Sequence, residues 1–181
     1  MLNIDHFICY GTLWGQLRNE DLLPWERNFD ICVMNENISN YDHVYLFREF
    51  RKYGLHMHYA SGSGVYTLIP YDWKSSSSAA AQISDATNNA HGGDSYPAVI
   101  QMYVFERLTE IKFVRRIGFL HRVQPPNDEN SDAFPDFLIA PPLPQRKILG
   151  INFPVPRETI EIQKYHYKSD WWLEPKPSIC T

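Results

Sequence analysis

The sequence predicts a mixed α/β domain, and three patterns carry the prediction. First, the apolar run Phe7-Ile8-Cys9-Tyr10 is followed by Gly11, a short amphipathic stretch and a second apolar run, Phe29–Val33. That order reads as strand, turn, helix, strand. Second, Leu55–Tyr59 and Val65–Ile69 flank Ser61-Gly62-Ser63-Gly64, a hairpin signal. Third, a segment with apolar residues at helical spacing, Tyr41–Tyr53, precedes a continuous apolar strand, Val99–Phe105. With 181 residues, 44% hydrophobic and 14% aromatic, the chain is expected to form one domain over 1–181 with a substantial core. The net charge of -4 gives no reason to expect nucleic-acid binding.

The opening elements carry the candidate chemistry. Thr12 is expected to cap a helix bearing Leu13, Trp14 and Leu17 on one side and Arg18 near its end. Pro24 ends that helix. Residues two apart on a strand share a face. If the chain is extended from Trp25, then Glu26, Asn28 and Asp30 point one way, and Phe29, Ile31 and Val33 point into the core. A polar row at a strand end, beside a glycine turn and a helix N-terminus, suits a metal with a phosphate-bearing ligand. Taken alone, residues 11–18 read better as a plain strand, turn and helix with a solvated Arg18 than as a phosphate site.

The remaining elements follow in order. In 41–53, Val44, Leu46, Phe47 and Phe50 form the apolar side, with Arg48, Glu49, Arg51 and Lys52 opposite, and Gly54 stops the helix. His56 and His58 share a strand face, which reads as an exposed face in preference to a two-histidine metal site. Lys74–Asp94 is rich in serine, alanine and asparagine and is expected to be a flexible loop. Ile111–Val123 reads as one or two strands and Pro125–Asp136 as a polar loop. A proline-rich segment then leads to a last helix, with Pro156 in its first turn and Glu158 at its positive end. Cys9, Cys32 and Cys180 have no zinc spacing, and the first two are expected to be buried thiols. No apolar run is long enough to span a membrane, and no signal peptide is evident. Asn37-Ile38-Ser39 is a glycosylation sequon, a weak pointer to a secretory route.

One stretch is more specific than any of these. Tyr10-Gly11-Thr12-Leu13-Trp14-Gly15-Gln16-Leu17-Arg18, then Pro24-Trp25-Glu26-Arg27-Asn28-Phe29-Asp30-Ile31-Cys32, resembles the signature of the LicD/fukutin family. That signature runs roughly Y-G-T-L-L-G-x-x-R and P-W-D-x-D-h-D-h-G, with h apolar. Asp170, Trp171, Trp172 and Pro175 resemble the family's closing D-W-x-x-P. The resemblance implies a nucleotidyltransferase-like mixed central sheet with flanking helices. It also implies transfer of ribitol phosphate or phosphocholine from a CDP donor to a glycan, with Mg or Mn.

On the matching positions, Glu26, Asn28 and Asp30 would hold the metal. Asp30, Glu26 and Gln101 would form the catalytic set, and Gly11, Thr12 and Arg18 would bind the nucleotide phosphates. Asp30 is kept, Glu26 stands for one family aspartate, and Asn28 and Gln101 replace two others. Two readings follow: a working transferase with an altered metal site, or a silent domain binding nucleotide, glycan or a protein partner. The two lost anions favour the second. Family members in animals sit in the Golgi behind an upstream membrane segment. The resemblance therefore implies the secretory lumen, with these residues soluble as given and either a fragment or a short form.

Overall fold

The computed structural model describes residues 4–71, 99–122, 125, 131–169 and 171. The expected loop 74–94, and Asp170, Trp172 and Pro175 of the closing motif, lie outside the described residues. A mixed sheet is the centre of the fold. Strand β1 (His6–Ile8) lies antiparallel to β2 (Asn28–Met34), which runs parallel to β5 (Val99–Leu108). The hairpin β3 (Leu55–Ala60) and β4 (Val65–Pro70) completes the order β1-β2-β5-β4-β3. The first half of β5 pairs with β4, and its second half pairs with β6 (Phe113–Arg116), which pairs antiparallel in turn with β7 (Ala133–Pro135). The α/β class is as the sequence predicts, and the apolar runs Phe29–Val33 and Val99–Phe105 become neighbouring parallel strands.

Two cores cover the two faces. On one, helix α1 (Tyr10–Asn19) and helix α5 (Thr159–His166) enclose Leu13, Phe105, Phe134, Leu138 and Ile162. A separate hairpin, β8 (Gln145–Ile148) with β9 (Ile151–Pro154), packs there too. On the other face, the short helix α2 (Asn35–Ile38) and helix α3 (His43–Lys52) cover Val33, Leu46, Met102 and Val104. Helix α3 starts where Asp42 accepts the Val44 and Tyr45 amides, an N-cap that satisfies two orphan donors. Gly54, at φ 73°, follows its last turn.

Several local expectations change. α1 begins at Tyr10, not at a Thr12 cap; the Thr12 hydroxyl instead accepts the Asp30 amide at 2.7 Å. The first strand is His6–Ile8, because Tyr10 already belongs to the helix. In α3, Val44 is exposed and Glu49 is buried, since the sheet meets the stripe of Leu46, Glu49 and Phe50. Among the described residues 111–122 there is one strand, within the one or two expected, and α4 (Phe119–Arg122) is a helical turn. Within the expected loop 125–136, Ser131 is buried and Ala133–Pro135 is strand, because Phe134 plugs the core beside Phe105. Pro156 precedes α5, which opens at Thr159 with Glu158 in the capping position.

Cys9 and Cys32 are joined as a disulfide, with their Cα atoms 6.0 Å apart, and are not two thiols. The pairing follows from register. β1 lies against β2 with Phe7 opposite Cys32 and Ile8 opposite Ile31, which brings Cys9, just past β1, within bridging reach of Cys32.

Candidate active site

Asp30 is the centre of the site. It sits on β2 directly across from Gln101 on β5 in a parallel register, so both side chains take the same face of the sheet. That face is the one under α1, and Asp30 is only 4% exposed. Phe29 and Ile31 are partly buried against the cores and Val33 is fully buried, as the strand alternation predicts, but the Asp30 face of β2 is covered as well. Asp30 and Cys32 are more buried than Phe29 and Ile31, and only Val33 is buried on the opposite face. Asn28 opens β2 with the same parity as Asp30, across from Val99.

The N-terminus of α1 is folded onto this carboxylate. The backbone amides of Gly11 and Thr12 donate to Asp30. The Asp30 carbonyl accepts the Cys9 amide at 3.3 Å. The same two amides are the ones expected to cradle a nucleotide phosphate; here they hold a protein carboxylate. Glu26 joins them from the loop before β2, outside the strand itself. A Cβ on Gly11 would come within 2.7 Å of Glu26 Oε2, so a larger residue there would displace the Glu26 carboxylate from over the turn. Gly15 plays a similar part: a Cβ there would meet the Asp21 carbonyl oxygen at 2.3 Å, so glycine lets the 21–23 loop pack against α1.

Two carboxylates in a half-dry corner disfavour each other's charge. Burial first, and then the charge of Glu26, push Asp30 up to about 7. Hydrogen bonds from Tyr103 and from the Gly11 and Thr12 amides oppose that rise without cancelling it. Burial also raises Glu26. Tyr103, two residues after Gln101 on the same face, was not singled out by the sequence reading. Its hydroxyl donates to Gln101 Oε1 and lies 3.4 Å from Asp30 Oδ1. Burial and the Asp30 charge raise the Tyr103 phenol, so it stays a hydrogen-bond donor. Its spacing from Gln101 was the available signal.

Arg18 does not belong to this group. It lies seven residues along α1 from Gly11, roughly 10 Å of helix rise away, stacked on Trp14 at 5.1 Å. His56 and His58 lie on the exposed face of β3, and His56 packs against Tyr71. Among the described residues, no group of three or more His, Cys, Asp and Glu side chains is placed to hold a metal ion. No described helix is long and apolar enough to cross a membrane.

The profile of the LicD/FKTN/FKRP nucleotidyltransferase domain matches residues 3–158, most of the chain. The chain belongs to the LicD/fukutin family. Comparison with curated proteins finds no match. Family membership gives this LicD-family domain a phosphotransferase-like role in modifying glycans or the cell surface. α5 lies after the matched stretch, yet it covers the same corner of the fold as α1.

Proposed function

We propose that this domain binds a CDP-linked donor together with Mg or Mn and transfers its phospho-alcohol, of the ribitol phosphate or phosphocholine type, to a glycan. The observation that carries the reading is the convergence of Glu26 and Asp30 over the first turn of α1, with the Gln101 amide directly opposite. The donor set fits such a cation. All four polar groups, counting Asn28, offer hard oxygen atoms, and magnesium is commonly held by one or two carboxylates plus substrate phosphates. Two carboxylates are too few to hold it tightly alone, so the diphosphate is expected to complete the site. When bound, the cation would neutralise charge on the diphosphate. The protein's own part is preorganisation. The Gly11 and Thr12 amides fix Asp30, and the Tyr103 hydroxyl turns the Gln101 oxygen. The Cys9–Cys32 disulfide is what an oxidising compartment produces, which supports a secretory or Golgi lumen.

Calorimetric titration with Mn alone, CDP alone and both together tests this reading. Each alone should bind weakly, and together they should bind at least tenfold more tightly. Glu26→Gln and Asp30→Asn should remove that coupling. CDP binding indifferent to metal would overturn the reading.

A second reading, a silent binding domain, is favoured by the Tyr103 bond that occupies Gln101 and by the neutral amide at Asn28. Under it the parent binds CDP but does not cleave the donor. Asn28→Asp with Gln101→Asp then raises metal affinity and donor turnover together. The single changes should do less, because both positions serve one cluster. Turnover by the unaltered chain would remove this reading.

A further inference from the structure

A second polar cluster adjoins Tyr103, and it joins Tyr10 to residues from late in the chain. Asp132, just before β7, accepts the Tyr10 hydroxyl on Oδ2. Its Oδ1 is 2.9 Å from Nδ1 of His166, whose side chain is fully buried at the end of α5. Arg116 lies 3.7 Å from the same carboxylate and stacks over Tyr103 at 4.7 Å. The Tyr10 ring is wedged between Tyr103, at 4.5 Å, and His166, at 4.2 Å. Gln163, also fully buried, donates to the Tyr10 carbonyl at 2.8 Å.

Tyr10 needs such restraint. Its φ is 47°, in the left-handed region that bulky residues avoid. Strained residues persist only where their surroundings over-determine them. Tyr10 is also the residue before Gly11. Its left-handed turn sets the direction of the next two amides, and those amides meet Asp30.

We propose that Asp132 is a positioning residue: backed by His166, and with Gln163 holding the Tyr10 carbonyl, it restrains through the Tyr10 hydroxyl the strained first residue of α1 so that the Gly11 and Thr12 amides converge on Asp30. Its catalytic consequence rests on the reading of Asp30 as part of the donor and metal site; its structural content does not. The two backing residues lie beyond the stretch that matches the family, so α5 supplies part of the site's rigidity in this chain.

The test uses the whole chain and three variants. Tyr10→Phe removes only the hydroxyl. Asp132→Ala removes its acceptor. Asp132→Asn keeps an acceptor oxygen and is the rescue. Hydrogen exchange at the Gly11 and Thr12 amides is compared with that at Leu46 in α3, on the other face of the sheet. The affinity for CDP with Mn is measured on the same samples.

The first two variants should speed exchange at Gly11 and Thr12 at least tenfold, leave Leu46 unchanged and weaken CDP with Mn at least tenfold. Asp132→Asn should stay within about threefold of the parent. Unchanged exchange at both amides overturns the proposal. Faster exchange everywhere, Leu46 included, also overturns it, because that is general destabilisation. If Asp132→Ala does not fold, Tyr10→Phe decides alone. Local loosening in a protein whose parent binds neither CDP nor Mn upholds the positioning and overturns the functional reading instead.

Discussion

Opening the Cys9–Cys32 disulfide should cost this domain a large share of its stability. The bridge closes a loop spanning 23 residues of sequence separation, and both half-cystines are wholly buried. In the chain-entropy account, such a loop removes about 11 cal/mol/K from the unfolded ensemble, or about 3 kcal/mol at 25 °C. For a domain of this size that corresponds to a melting temperature lower by roughly 6–12 °C. The loss should also reach the site, because Cys9 adjoins Tyr10 and Cys32 follows Asp30 by two residues on β2. Two perturbations separate the causes. Urea unfolding of the parent with a reductant removes the cross-link but keeps both sulfur atoms; Cys9→Ala with Cys32→Ala removes both. The first should lower the midpoint by the entropic amount with the slope altered by a less compact unfolded state, and the second by that amount plus a packing loss. Equal midpoints with and without reductant, in a parent shown by mass to carry the bond, would refute the reasoning.

Other changes test the site. Gly11→Ala should displace the Glu26 carboxylate, which a Cβ would approach to 2.7 Å. Affinity for CDP with Mn should then fall at least tenfold, about 1.4 kcal/mol, with the circular dichroism spectrum retained. In the metal-free protein, the raised Asp30 carboxyl makes the folded state bind a proton more tightly than the unfolded chain. Its contribution is thus present below the ordinary carboxylate value near 4 and lost as pH rises through about 7. Urea midpoints should reveal a fall on the order of 4 kcal/mol across that window, and Asp30→Asn should flatten it; an unchanged slope in the variant would count against the burial of this charge. Asp132 has the opposite sign. Burial alone would raise it, but His166, Tyr10 and Arg116 hold it below its ordinary value. The stability it confers is full above the ordinary value near 4 and disappears as pH falls through its lowered one, so Asp132→Asn should blunt acid unfolding measured by tryptophan fluorescence.

The sequence by itself determined the local pieces. Apolar runs of strand length, the Ser61–Gly64 turn and the helical spacing after Tyr41 are properties of neighbouring residues, and each became the expected kind of element. The ordered motif from Tyr10 to Cys32 carried the family and pointed to Glu26 and Asp30, while the separate apolar segment Val99–Phe105 pointed to Gln101. What the tertiary structure decided was which face of each strand is covered and what distant residues meet there. Alternation separates Asp30 from Ile31, but cannot say that α1 buries the Asp30 side. That depends on the glycines at 11 and 15, which let Glu26 and the 21–23 loop pack closely against α1. The disulfide depended on the register of β1 against β2, which no spacing of cysteines reveals. Asp132 was hidden for the same reason: among polar residues it looks like any loop aspartate. It becomes a buried partner of Tyr10 only when Phe134 inserts into the core and α5 folds back over the start of α1. Patterns along a chain record local backbone preferences, whereas the burial and hydrogen bonding of these groups are set by contacts between residues 18 to 153 positions apart.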